Sequence, residues 1–269
     1  MSAVRSQDGT TIAYERQGQG PAVILVDGAL CYRGMGPSQA IARQLAQRFT
    51  VYTYDRRGRG ESDDAAEYAT ARELEDIEAL LGEAGGSACV WGISSGSMLA
   101  LEAARRLPVI RRLVLYEAPL VVDDSRPPIA PAWAGIRQAV AAGHRGDAVG
   151  QFLRQVGVPG PFVALMHLLP AWRKLTGMAH TLPYDGAMLE EHQRGEPLPA
   201  GRWEGVTVPT LVLAGGKSPA WMRNGSEALA QAIPNARFEI LPGQTHVVSA
   251  KVVAPVLTSF FEGREAQAA

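Results

Sequence analysis

Residues Gly92-Ile93-Ser94-Ser95-Gly96 follow the apolar run Ala88-Cys89-Val90-Trp91 and precede Met98-Leu99-Ala100-Leu101-Glu102-Ala103-Ala104, a stretch of good helix formers. A buried strand that turns at once into a helix holds the residue at the corner in a strained conformation, with its side chain exposed at the top of the sheet. Glycine is needed on both sides because a Cβ at either place would meet neighbouring chain. By itself G-x-S-x-G is a weak signal, since a serine in a turn commonly bonds nearby backbone. The strand before it and the helix after it single out Ser94 as a candidate nucleophile. The hydroxyls of Ser95 and Ser97 keep the backbone-bonding role.

Along the rest of the chain, short apolar strands alternate with longer helical patterns. That is the pattern of an α/β fold with a mostly parallel central sheet and helices on both faces. Strands are predicted at Thr11 to Glu15, Ala22 to Val26, Thr50 to Tyr54, Ala88 to Trp91, Leu113 to Tyr116, Thr210 to Ala214 and Arg237 to Leu241. Helices are predicted near Pro37 to Gln47, Ala71 to Gly82, Ser95 to Leu107, Gly225 to Ala232 and Val252 to Glu262. Residues 2 to 6 pair with the first of these strands as an antiparallel hairpin turned at Asp8-Gly9. Between Pro119 and about Gly205 the alternation stops and the chain becomes rich in Pro, Trp, Met and Leu. The expected organisation is a core of residues 1–118 and 206–269 with a helical cap inserted at 119–205; the end, Gln267-Ala268-Ala269, reads as frayed.

The 269 residues suffice for one domain with an insertion but fall short of two full domains. Lys and Arg number 26 against 27 Asp and Glu, and they are scattered, which argues against nucleic acid or an anionic membrane as partner. The first residues lack the basic-then-apolar order of a secretory signal, and no segment approaches the roughly 18 apolar residues of a membrane span. A cytoplasmic location is expected. Cys31 and Cys89 read as reduced thiols, and histidines 144, 167, 180, 192 and 246 are too isolated to suggest a metal site.

A serine hydroxyl becomes a useful nucleophile when a base takes its proton, and the base must be oriented by a third group. The order nucleophile, acid, histidine puts the base in the loop after the last strand, where His246 stands in Leu241-Pro242-Gly243-Gln244-Thr245-His246. The usual acid would follow the penultimate strand, but Gly215-Gly216-Lys217-Ser218-Pro219-Ala220-Trp221 holds no carboxylate. Glu117 ends the strand after the nucleophile helix. In a parallel sheet it emerges at the same edge as Ser94, on the neighbouring strand. Its alternatives are a helix-capping or arginine-paired role, with Asp123 and Asp124 as reserve acids.

An oxyanion needs backbone N–H donors, one from the residue after the nucleophile, Ser95, and one from the loop Val26-Asp27-Gly28-Ala29-Leu30. Gly28 and Ala29 are the candidates there. A carboxylate pointing into such a hole would repel the developing charge, so Asp27 is expected to turn away and bond backbone or the Arg56/Arg57 region. Tyr54-Asp55-Arg56-Arg57-Gly58-Arg59-Gly60-Glu61-Ser62 matches no phosphate-binding fingerprint and reads as a structural turn.

With these residues in place the chain resembles the α/β-hydrolase superfamily along nearly its whole length. Val26-Asp27-Gly28-Ala29-Leu30, Val90-Trp91-Gly92-Ile93-Ser94-Ser95-Gly96 and Tyr116-Glu117-Ala118-Pro119 together look like the zearalenone-lactonase group, in which a Glu after the sixth strand replaces the usual Asp. The similarity implies a triad of Ser94, Glu117 and His246, and an oxyanion hole of Ser95 with Gly28 or Ala29. A cap tryptophan touches ligand in that group, and Trp172 is the nearest equivalent here; Met166 and Leu30 complete the expected substrate contacts.

The leading expectation is cofactor-free hydrolysis of an ester or lactone of a hydrophobic small molecule through an acyl-enzyme. Trp133, Phe152, Phe162, Met166 and Trp172 give the cap its apolar character, although such residues also serve simply to pack a lid onto a body. An acyltransferase or a C–C bond hydrolase would use the same serine. A non-catalytic ligand receptor would keep the body and lose the chemistry. A homodimer is compatible with everything above.

Overall fold

Residues 2–65 and 67–264 are described in the structure, a computed structural model. The tail Gln267-Ala268-Ala269 lies outside them. The β-branched and aromatic runs form strands Ser2–Arg5 (β1), Thr11–Gln17 (β2), Ala22–Val26 (β3), Thr50–Tyr54 (β4), Ala88–Ile93 (β5), Ile110–Tyr116 (β6), Thr210–Gly215 (β7) and Ala236–Leu241 (β8). They join in one eight-stranded sheet ordered β1-β2-β4-β3-β5-β6-β7-β8. β1 and β2 pair antiparallel, β2 pairs antiparallel with β4, and every other neighbouring pair is parallel. The turn between β1 and β2 is closed by Gly9 N–H to the Ser6 carbonyl, with Gly9 at φ 87°, as the Asp8-Gly9 pair predicts.

Every residue of β3, β5 and β7 is buried, so these strands read as continuous apolar runs rather than alternating ones. The period of two reappears in which core each side chain joins. Ile24, Val26 and Val90 face a core filled by helices Thr70–Glu83 (α2) and Ser95–Arg106 (α3). Val23, Leu25, Cys89 and Trp91 face the opposite core, filled by Ser38–Leu45 (α1) and Ala250–Phe261 (α10). The outer strand β8 keeps a mostly exposed pattern.

Between β6 and β7 the chain forms Ala132–Ala141 (α4), Arg145–Gln155 (α5), Gly160–Met166 (α6), Pro170–Gly177 (α7) and Leu182–Leu189 (α8), with 3-10 turns at Ala179–Thr181 and Glu190–His192. The beginning and end of this segment are joined by Val121 N–H to the His192 carbonyl and Gly195 N–H to the Val121 carbonyl. The helix before β8, Ala220–Ala232 (α9), begins five residues earlier than the sequence suggests. Gly225 reads locally as a helix boundary because glycine is a poor helix former. It lies inside the helix because a Cβ there would stand 2.6 Å from the Leu120 carbonyl oxygen. Among the described residues no helix is long and apolar enough to cross a membrane.

Candidate active site

Ser94 sits between β5 and α3 at φ 57° and ψ −131°, a conformation that costs a non-glycine residue of order 1–3 kcal/mol and persists only when its surroundings fix it. Those surroundings are visible. The Ser94 N–H donates to the Tyr116 carbonyl, and Ser97 Oγ donates to the Gly92 and Tyr116 carbonyls at 2.8 and 3.0 Å. A Cβ on Gly96 would meet the Val26 carbonyl oxygen at 2.3 Å, and one on Gly92 would meet the Gly96 carbonyl oxygen at 2.5 Å. The two glycines are therefore required by close approach, as expected.

Glu117, one residue beyond β6, is fully buried and has φ 46°. Its N–H donates to the Leu213 carbonyl, which fixes where the side chain starts. One carboxylate oxygen, Oε1, accepts the Gly215 N–H at 2.7 Å; the other, Oε2, lies 2.8 Å from Nδ1 of His246. The last residue of β7 thus contributes a backbone donor that orients the acid at the end of the neighbouring strand β6. Tyr116 Oη donates to the Thr245 carbonyl at 2.6 Å and pins the histidine loop to the same strand end. The reserve acids are elsewhere: Asp123 accepts from Ser125 and Asn224, and Asp124 is exposed.

The loop after β3 approaches Ser94 closely. A Cβ on Gly28 would lie 2.8 Å from the Ser94 Cβ, so only glycine permits this packing. Arg59 Nη1 donates to the Gly28 carbonyl at 2.7 Å. In a trans peptide the following N–H points the opposite way, so the Ala29 N–H is directed away from Arg59. Ala29 lines the cavity beside Ser94. Among the described residues neither the Ala29 nor the Ser95 N–H bonds a protein acceptor. Gly28 supplies the space for the loop's approach to Ser94.

Asp27 turns away from this donor pair as expected, but to a different partner. Its Oδ1 accepts from Ser38 Oγ at 2.6 Å, and only its main-chain carbonyl accepts from Arg56. Burial pushes the Asp27 carboxyl up to about 6, against the Ser38 hydrogen bond and the charges of Arg59 and Arg56. The arginines are already taken by Glu73, Asp76 and Asp185 in buried ion pairs and by the more exposed Asp8, which leaves Asp27 a hydroxyl. The arginine-rich turn is structural, as the sequence suggests.

Ser95 departs from the expected backbone bond. Its Oγ donates to Oδ1 of Asp185 on α8 at 2.7 Å. Arg56 and Arg59 hold the same carboxylate at 2.8 Å each. Burial pushes Asp185 upward, but the Arg59 and Arg56 charges with the Ser95 hydroxyl outweigh it and keep the carboxyl below its ordinary value. No local pattern marks Asp185; it is one acid in the apolar stretch Leu182–Leu189.

Ser94 and His246 line two cavity lobes that meet at them. The smaller, about 440 Å³, is bounded by Gly28, Cys31, Pro37, Ile93 and Val248; the larger, about 560 Å³, extends under the inserted helices to Trp133, Gln155, Trp221 and Met222. Phe152 and Val156 border both. Three expected contacts fall outside. Trp172 borders an outer recess with His144 and Arg145 and stacks on His167 at 3.9 Å. Met166 packs against the main core from α6, and Leu30, at φ 55°, is buried within it. Phe162 is 62% exposed and borders neither lobe. Trp221, in the first turn of α9, is a further wall residue; its place just beyond the carboxyl end of β7 in a parallel sheet, where ligands bind, is the signal that marks it.

The sequence model described as "Alpha/beta hydrolase family" matches residues 23–255. An alpha/beta hydrolase from Sphaerobacter thermophilus superposes with a TM-score of 0.88 at 47% identity, over 97% of this chain and 100% of that one. The enol-lactonase from Burkholderia xenovorans superposes at 0.68 with 20% identity, over 97% and 100% of the two chains, which speaks for the fold alone. An uncharacterized hydrolase of Bacillus subtilis is 31% identical over 122 residues, so the match spans 43% of this chain and 43% of that relative.

Proposed function

Since this chain belongs to the alpha/beta hydrolase family, we propose that it is a serine hydrolase cleaving a carboxylic ester or lactone of a mainly hydrophobic small molecule. The observation that carries the reading is the 2.8 Å contact between Glu117 Oε2 and His246 Nδ1, beside a serine held at φ 57° in the same cavity. A carboxylate at Nδ1 puts the proton there and leaves Nε2 free to act as base.

In this reading Ser94 Oγ attacks the carbonyl carbon while its proton passes to His246 Nε2. The N–H groups of Ser95 and Ala29 stabilise the tetrahedral oxyanion. Collapse breaks the bond to the leaving alcohol, which takes the proton back from His246. Water then repeats the sequence on the acyl-serine, and in a lactone the leaving alcohol stays attached to the acid. Residues 119–205 act as the cap that shapes the cavity. The narrower likeness to zearalenone lactonases rests on the three core segments and on the Glu in place of Asp. Substrate choice follows the cavity walls.

The test is labelling with a fluorophosphonate, followed by a panel of esters and lactones varied in ring size and acyl length. Stoichiometric labelling and turnover, both lost in Ser94→Ala, support the proposal. Folded protein that neither labels nor turns over any member favours a ligand receptor.

A further inference from the structure

Among the described residues no Asp or Glu lines the larger lobe, and it carries one permanent charge, that of Arg126. Its guanidinium lies over the Trp221 ring, 4.4 Å from the centroid, and donates to the Gln155 carbonyl. Among the described residues it makes no ion pair, unlike Arg56, Arg57 and Arg59, each of which is matched to carboxylates. Burial alone acts on it, holding its pKa below the ordinary arginine value.

Beside it stands a second unmet group. Gln155 is 92% buried, since only 8% of it is exposed, and its Oε1 has no hydrogen-bond partner among the described residues. The other amide on this wall is fully used: Gln193 Oε1 accepts from Trp133 Nε1, and its Nε2 donates to the Pro119 carbonyl. Gln155 Oε1 is an acceptor and takes no bond from a carboxylate, so what marks a place for an anionic group is the Arg126 guanidinium, a cation at the wall of an otherwise apolar cavity with no carboxylate beside it among the described residues. Guanidinium is planar, always charged and matched to carboxylate geometry, and the Trp221 ring beneath it restricts where it can go.

We propose that the larger lobe is a subsite for a carboxylate, so that the substrate is an ester or lactone carrying a carboxylate on the part seated there, with a neutral apolar group in the smaller lobe. This rests on the hydrolase reading above. The apolar walls take the body of that part, and Arg126 takes its charged end.

Two matched pairs of esters place the charge on either side of the scissile bond: 4-nitrophenyl hydrogen adipate against 4-nitrophenyl hexanoate, and 4-acetoxybenzoate against phenyl acetate. In at least one pair, Arg126→Gln is expected to lower kcat/KM for the charged ester at least tenfold through KM, with the neutral ester changed less than twofold. Arg126→Lys should restore part of the loss. Gln155→Glu, which sets a carboxylate next to the guanidinium, should remove the preference even where Arg126→Gln folds poorly. Equal losses for charged and neutral esters, or none in either pair, would overturn the subsite. If the wild-type protein cleaves no ester, the hydrolase reading fails and the subsite is read by calorimetry on Ser94→Ala. Saturable adipate binding that is lost in Arg126→Gln then supports it, and the absence of adipate binding refutes it.

Discussion

Glu117 Oε2 and His246 Nδ1 lie 2.8 Å apart although 129 residues separate them in the chain. The contact exists because β6 ends one strand away from the elbow and the loop after β8 folds back over β7, whose Gly215 N–H holds the other carboxylate oxygen. Replacing Glu117 by Gln keeps the acceptor for Gly215 but presents an amide donor to Nδ1. The histidine must then turn its lone pair toward the amide and its proton toward the serine. The expected result is a fall in kcat of about 10³- to 10⁴-fold with little change in melting temperature. A Glu117→Gln enzyme within tenfold of wild type would remove Glu117 from the triad.

Gly28→Ala tests the packing of the proposed oxyanion loop on the proposed nucleophile, Ser94. The new Cβ lies 2.8 Å from the Ser94 Cβ, so the loop or the serine must shift. A misplacement of this order costs about a hundredfold in rate. Steady-state kinetics on one good ester should show the loss in kcat rather than KM. Unchanged kcat would mean that the loop gives way freely.

Asp185 joins the inserted helices to the site through Arg56, Arg59 and Ser95. Asp185→Asn leaves two buried guanidinium groups short of charge, which costs about 3–5 kcal/mol. Ser95→Ala removes one neutral donor and should cost about 1 kcal/mol, or somewhat more because the acceptor is charged. Urea unfolding of the two variants should therefore separate clearly. Equal midpoints would show that the arginines repair the loss through their other partners.

Asp27 gives the protein a pH-dependent cost. Because burial raises its carboxyl from 3.8 to about 6, the folded chain binds this proton more tightly than the unfolded chain does. Its favourable contribution is complete below pH 3.8 and is lost as pH rises through 6. A span of about two pH units corresponds to about 3 kcal/mol. Asp27→Asn removes that dependence and keeps an acceptor for Ser38. Its stability relative to wild type should rise between pH 4 and pH 7.5 by up to this amount in urea unfolding. The same difference at both pH values would mean that the carboxyl is ionised throughout.

Local sequence was enough for the parts of this protein that local forces control. Period-two burial, turn glycines and the strand–Ser94–helix corner depend on a few neighbouring residues, so β2 to β8, the hairpin at Asp8-Gly9 and the elbow were all legible. The parallel topology then placed Glu117 and His246 at one edge, and the missing acid after β7 pointed to Glu117. The rest is decided by contacts across long stretches of chain. Gly225 lies mid-helix because of the Leu120 carbonyl, Ser95 bonds Asp185, and Asp27 is left to Ser38 because other carboxylates occupy the arginines. The cavity wall belongs to Phe152, Val156 and Trp221 rather than to Trp172, Met166 and Leu30, since the way distant elements pack on one another selects which apolar side chains face inward. Composition records that such side chains exist; only the assembled tertiary structure decides which of them meet.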